Sequence, residues 1–288
     1  MSFKNDLISV DPSKSCLEFL ADRVLSDNYR GMQLSQHNRY TVDDLIVLLE
    51  ELYLLVNNHK MSIRTTDLSK RPTNTPDEYL YAKYVDNVNI KMGRCTQDSV
   101  RKNLFVDLHR MGLINRYNSD GIALGGHDRS PVKYVSLTTI GIDLVLNKNN
   151  PFTKNLIYTK AIDNLTHGLA SDLFDVALAD DKGKINIYEF MFFMSFMGFS
   201  LNGKFYRRAE LTEYMLQFRR MSYSQKEAVV RIIDEYCNPR TFGGNKINKR
   251  DFHNWKNESQ QIFMLMKDTM FFEQREETCS NHIWFVSH

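Results

Sequence analysis

Arg101, Lys102 and Arg110 stand on one stretch, "CTQDSVRKNLFVDLHRMGLINRYN" over residues 95–118, whose apolar positions recur at helical spacing. Guanidinium and ammonium groups hold phosphates and pair with guanine in a DNA groove. At about 100° per residue, Val100, Leu104, Leu108 and Met111 share one stripe. Lys102, Val106 and His109 then point the other way, with Arg101 and Arg110 flanking them. Thr96 is the expected N-cap. Arg94, Gln97, Asp98 and Ser99 surround that start, the end at which a recognition helix touches base edges. A solvated helix face has the same composition, so this helix alone leaves packing and groove entry open.

The following segment, "SDGIALGGHDRSPVK", carries His127 and Arg129 in a glycine-rich loop and Lys133 on the strand beyond it, as a phosphate-touching wing would. Between residues 94 and 134, Arg94, Arg101, Lys102, Arg110, Arg116, Arg129 and Lys133 outweigh Asp98, Asp107, Asp120 and Asp128. The local excess matters because the whole chain is nearly neutral, with 37 Lys+Arg against 35 Asp+Glu. A second helix is expected over residues 248–267. It buries Phe252, Trp255, Ile262 and Leu265 or Met266, and shows Arg250, His253, Asn254, Asn257 and Gln261 outside or at the margin. Side-chain amides can bond adenine N6 and N7 together. Lys246 and Lys249 lie just upstream as phosphate ligands, and a plain polar surface helix is the competing reading. Lys204, Arg207, Arg208, Arg219 and Arg220 read as a solvated basic face.

Other chemistry finds little support. "LADDKGKINIYEF" overlays a calcium loop from Gly183 to Glu189, yet Leu178 and Lys182 occupy positions that need oxygen ligands. Asp175 with Asp180 and Lys182 is the nearest approach to a magnesium-dependent nuclease triad, and it is too compressed. No Gly-rich phosphate loop, nucleophile elbow or HExxH helix occurs. No catalytic or metal-binding residue and no cofactor is therefore expected in this chain. Cys16, Cys95, Cys237 and Cys279 are too dispersed for a zinc knuckle or redox pair and suit a reducing compartment. With no signal peptide and no run of roughly 20 apolar residues, a cytoplasmic protein without membrane partners is expected.

These residues need elements to carry them. "TVDDLIVLLEELYLLV" from Thr41 predicts an amphipathic helix, with Leu45, Leu48, Leu49, Leu52 and Leu55 inward. A polar passage follows, with a short helix near residues 78–85. After the basic helix come a strand in "LINRYN", the loop, a strand in "VKYVSLT" and a helix in "TTIGIDLVL". "NKNNPF" then breaks to further helices, among them the apolar "FMFFMSFMGF", and to a terminal hairpin. The expected fold is mainly α with small β hairpins. Residues 1–40 form an N-terminal arm and helix, 41–148 a first domain and 149–288 a second helical domain.

The order of elements in 41–148, closed by "YVSLTTIGIDLV", resembles a winged-helix domain, and residues 149–288 repeat that logic as a second winged-helix-like module. "INIYEFMFFMSFMG", "LTEYMLQFRRMS" and "RDFHNWKNESQQIFMLMKDTMFF" are similar to the DNA-recognition part of type II, particularly type IIS, restriction endonucleases. That resemblance implies sequence-specific binding of double-stranded DNA. It also implies cleavage by a nuclease domain or subunit not in this chain, where Mg2+ would act. The abrupt end at "HIWFVSH" fits that division. A winged-helix replication initiator or transcriptional regulator, and a protein-interaction scaffold, are the alternatives.

Overall fold

The computed structural model describes residues 2–32, 34, 40–63, 76–93, 100–126, 128, 130–178, 183–238, 241–242, 245–246, 250–273 and 282–285. Of residues 76–78, 101, 102, 241–242, 245–246 and 282–285 it describes the backbone alone. The protein is mainly helical with small antiparallel sheets. It forms two compact units. One comprises Met1–Gln36, Ser171–Met264 and Glu273–His288, the other His37–Ala170 and Leu265–Phe272.

The chain starts in the first unit with α1 (Phe3–Ile8), capped by Ser2, and α2 (Ser15–Leu25). It then builds the second unit. Thr41 and Asp44 close a capping box at the start of α3 (Val42–Val56), and Leu45, Leu48, Leu49 and Leu52 are buried as the periodicity requires. Strand β1 (Met61–Ser62) follows, then α4 (Pro76–Met92). This helix is longer than the expected 78–85. Tyr81, Tyr84, Val85 and Val88 repeat at helical spacing and are buried, a stripe masked in sequence by the polar residues between them. Tyr84 donates to the Leu48 carbonyl at 3.1 Å, while Lys91 at 2.5 Å and Asn87 at 2.8 Å reach the buried Glu51 carboxylate.

The basic helix is not uniform. A π-helical turn, Val100–Leu104, passes into α5 (Phe105–Arg110), so one angular increment does not describe the whole helix. The inward stripe survives: Val100, Leu104, Leu108 and Met111 are all buried. Strands β2 (Ile114–Tyr117) and β3 (Tyr134–Leu137) come next, followed by α6 (Thr139–Leu146) and α7 (Pro151–Leu165). The sheet order is β1-β3-β2, entirely antiparallel, with Met61 opposite Val135 and Ile114 opposite Leu137. β1 escaped the sequence reading because two residues carry no alternation.

Thr138 and Gly141 join this unit's end to its middle. The Thr138 hydroxyl lies 2.7 Å from the Gly112 carbonyl and accepts the Gly141 N–H at 3.0 Å. A Cβ at Gly141 would stand 2.1 Å from the Leu113 carbonyl oxygen. The glycine of "LTTIGIDL" thus lets α6 begin directly against the turn between α5 and β2.

The chain re-enters the first unit along α8 (Leu169–Leu178). It continues through β4 (Lys184–Asn186), α9 (Ile187–Phe192), a 3-10 turn at Met194–Phe196 and a hairpin of β5 (Ser200–Leu201) with β6 (Lys204–Phe205). Then come α10 (Arg208–Arg219), α11 (Tyr223–Tyr236), a hairpin of β7 (Thr241–Phe242) with β8 (Asn245–Lys246), α12 (Phe252–Met266) and β9 (His282–Phe285). The apolar run from Phe190 is buried as expected, but it is broken by the 3-10 turn rather than one helix. Among the described residues no helix is long and apolar enough to cross a membrane. The terminal strand β9 pairs with β4, Ile283 opposite Ile185, a register no local pattern announced.

Arg219, expected on a solvated face, is buried at 8% exposure. Its guanidinium grips the buried Glu189 at 2.8 and 2.7 Å and the Lys184 carbonyl at 2.9 Å. Glu189, the last position of the calcium-loop overlay, serves this pair and the capping box of α9. Asp175 pairs with Arg208 at 2.5 Å rather than facing a metal. Arg23, with no exposed surface, donates to the Tyr29 and Arg30 carbonyls and Ser195 Oγ, over the rings of Phe196 and Trp255.

Two outcomes follow. Gly141→Ala forces a backbone shift and lowers stability by about 1–3 kcal/mol in urea unfolding. Burial pushes the Cys16 and Cys237 thiols up to about 12, so neither reacts with iodoacetamide at neutral pH until the chain is unfolded.

Candidate nucleic-acid interface

α5 is held from beneath. Tyr40, buried, donates to Asp107 Oδ2 at 3.0 Å, and burial beside that carboxylate raises the phenol well above its ordinary value, so it remains the donor. His109 does not point outward as expected. It is half-buried, its Nδ1 lies 3.0 Å from the Ile114 carbonyl, and its Nε2 is buried without a partner among the described residues. Arg110, one residue on, is exposed at the C-terminal end of α5, where a positive charge suits the helix dipole.

The segment after β2 is built on its own hydrogen bonds. The Asn118 side chain accepts the N–H groups of Asp120 at 3.0 Å and Ile122 at 2.9 Å, and Gly121 takes a φ of 76°. The chain thereby doubles back along β2: Ala123 bridges Tyr117 and the Leu124 N–H reaches the Arg116 carbonyl at 2.8 Å. Lys60 lies 3.9 Å above the Tyr117 ring and donates to the Gly121 carbonyl at 3.1 Å. At the far end the Lys133 N–H bonds the Tyr117 carbonyl while its own carbonyl accepts from Ile63, both at 2.8 Å. The Lys133 backbone is fixed on both sides and its side chain is exposed.

Arg110 and Lys133 therefore sit exposed at the two ends of the β2–β3 hairpin's surroundings, with Lys60 beside its first turn. Lys60 had no signal in sequence beyond its charge, because its role depends on β1. Arg101 and Lys102 lie on the π-helical turn, by backbone alone. Arg94, Gln97, Asp98, Ser99, His127 and Arg129 lie outside the described residues.

In the other unit, Lys246 falls on β8 by backbone alone and Lys249 lies outside the described residues. Arg250 is committed within the fold. It donates to the Val24 and Leu25 carbonyls at 2.7 and 2.6 Å, at the end of α2, and its guanidinium lies over Tyr29 and Tyr236. Asn254 bonds Asp251, the cap of α12, at 2.7 Å; Asn257 and Gln261 are half-buried and His253 is exposed. α12 runs as expected over buried Phe252, Trp255, Ile262, Leu265 and Met266. The same unit has a cleft of about 920 Å³ between β4 and α11. Its wall sets Lys184, Lys226 and Arg231 against Glu227 and Asp234, so it has no strong preference for either charge.

Residues 41–148 match the family model described as the type IIS restriction enzyme MboII middle domain. The match falls wholly within one compact unit. No curated protein and no solved structure matches the chain. Tyr40→Phe removes a bond to a charged acceptor beneath α5 and lowers stability by about 1.5–3 kcal/mol, measured by urea unfolding.

Proposed function

We propose that residues 41–148 are a winged-helix domain that binds double-stranded DNA with sequence preference, as the recognition part of a type IIS restriction enzyme. The match of this segment to the MboII middle-domain family carries the reading. Its geometry supports it. Helix, strand, helix, helix, strand, loop, strand and helix follow in order, and the sheet runs β1-β3-β2. The helix ending in α5 then enters the major groove, with Arg101 and Lys102 as candidate DNA contacts. The loop 118–133 is the wing, and Lys133 a phosphate contact, with Arg129 and His127 as further candidate contacts.

The second unit's part rests on less. We extend the proposal to a second DNA-contacting module in 149–288, for which the exposed His253 and the amides of Asn257 and Gln261 on α12 are the candidates. Cleavage belongs to a separate nuclease domain or subunit, with Mg2+ bound there. Nothing on the chain favours a replication initiator or a protein scaffold over this reading.

Binding is expected to weaken steeply with salt, because phosphate contacts release counterions. Titration against random and selected duplexes tests the claim: a selected sequence binds more tightly, and equal affinity for every sequence defeats the specificity. Lys133→Ala lowers affinity for all sequences alike and reduces the slope of log affinity against log salt by about 1.

A further inference from the structure

We propose that the Arg23 guanidinium and the Trp255 indole together hold one chloride ion inside the protein. The inference stands apart from the DNA-binding reading. Both side chains are fully buried, and both belong to the unit of Met1–Gln36, Ser171–Met264 and Glu273–His288. Arg23 Nη1 and Trp255 Nε1 are each buried without a hydrogen-bond partner among the described residues. A folded protein rarely leaves such a donor unmet, so two on neighbouring side chains point to a common acceptor. The Arg23 Cζ lies 5.2 Å from the centre of the Trp255 ring and 4.7 Å from that of Phe196. Its Nε reaches the Tyr29 carbonyl at 2.7 Å, and its Nη2 the Arg30 carbonyl at 3.0 Å and Ser195 Oγ at 2.9 Å, which leaves Nη1.

Those three acceptors are neutral. No carboxylate pairs with Arg23 among the described residues, and burial pulls its proton affinity well below the usual value. The unit's other buried arginine is treated differently, since Glu189 neutralises Arg219 at 2.8 and 2.7 Å. Glu258, one turn from Trp255 on α12, is taken by Arg30 at 2.9 and 3.0 Å. An uncompensated buried charge is costly, and contact with two aromatic faces offsets only part of that cost. The backbone seals the guanidinium in. Gly31, at φ 65°, runs so close to Ser195 that a Cβ would lie 2.2 Å from the Ser195 carbonyl oxygen and 3.0 Å from Arg23 Nη2. The Met32 N–H bonds the same carbonyl at 2.6 Å. A water molecule would accept from the donors, but it leaves the charge standing and brings two hydrogens that need acceptors of their own. A phosphate or sulfate carries more charge and more oxygens than two donors satisfy. A monovalent anion that accepts from any direction meets both donors and the charge, and chloride is the abundant ion of that class.

The test uses the full chain in chloride-free gluconate buffer, into which sodium chloride is exchanged at constant ionic strength. Chloride should raise the melting temperature by about 3 °C for each tenfold increase above its dissociation constant. Trp255→Phe keeps an aromatic ring but removes the donor, and should weaken the apparent chloride affinity several-fold; Arg23→Met should abolish the response. Bromide reads the site directly, because a heavy ion at the indole quenches its fluorescence. With Trp284, the second tryptophan, replaced by Phe, quenching of Trp255 should saturate with bromide and be reversed by chloride. The same competition in the wild-type chain decides the matter if a variant does not fold. Equal melting temperatures in chloride and gluconate, with quenching that only grows linearly with bromide, would overturn the site. A chloride response that sulfate reproduces, or that both variants retain undiminished, would overturn the assignment to Arg23 and Trp255.

Discussion

The contact on which the 41–148 segment depends is the approach of Gly141 to the Leu113 carbonyl. No side chain fits there, since a Cβ would lie 2.1 Å from that oxygen. Thr138 completes the joint by capping α6 and meeting the Gly112 carbonyl. Three elements are locked through it: the helix that ends at Arg110, the strand that carries Arg116, and the closing helix.

The described residues after β2 are tied by local hydrogen bonds. The Asn118 turn, the bridge at Ala123 and the fixing of Lys133 between Tyr117 and Ile63 give the loop a shape before any ligand arrives. Preorganisation lowers the ordering cost of binding. Tyr40 and Asp107 do the same for α5 from below.

What sequence made legible was local. The Thr41 cap, the leucine stripe of α3, the buried residues of α12 and the spacing of Leu137, Thr138, Gly141 and Leu144 each depend on neighbours within a few residues, and each is found in place. What it hid was non-local. β1 exists through β3, the pairing of the terminal strand β9 with β4 joins distant segments, and the burial of Arg219 depends on Glu189 thirty positions away, so none of these pairings had a signature along the chain. The candidate interface divided in the same way. Arg110 and Lys133 were visible as charges at helix and strand ends, whereas Lys60 acquires meaning only from the sheet. Arg250 shows the converse, a conspicuous charge in a polar run whose donors the fold directs to the end of α2. The π-helical turn at Val100–Leu104 was beyond reach because an apolar repeat of four positions fits either helix.

Amide hydrogen exchange with and without a selected duplex tests the central claim most directly. Protection that rises along the α5 helix, at the turn to β2 and through residues 118–133, and falls again as salt is raised, is the result this account predicts. Duplex binding that leaves those amides unchanged would contradict it.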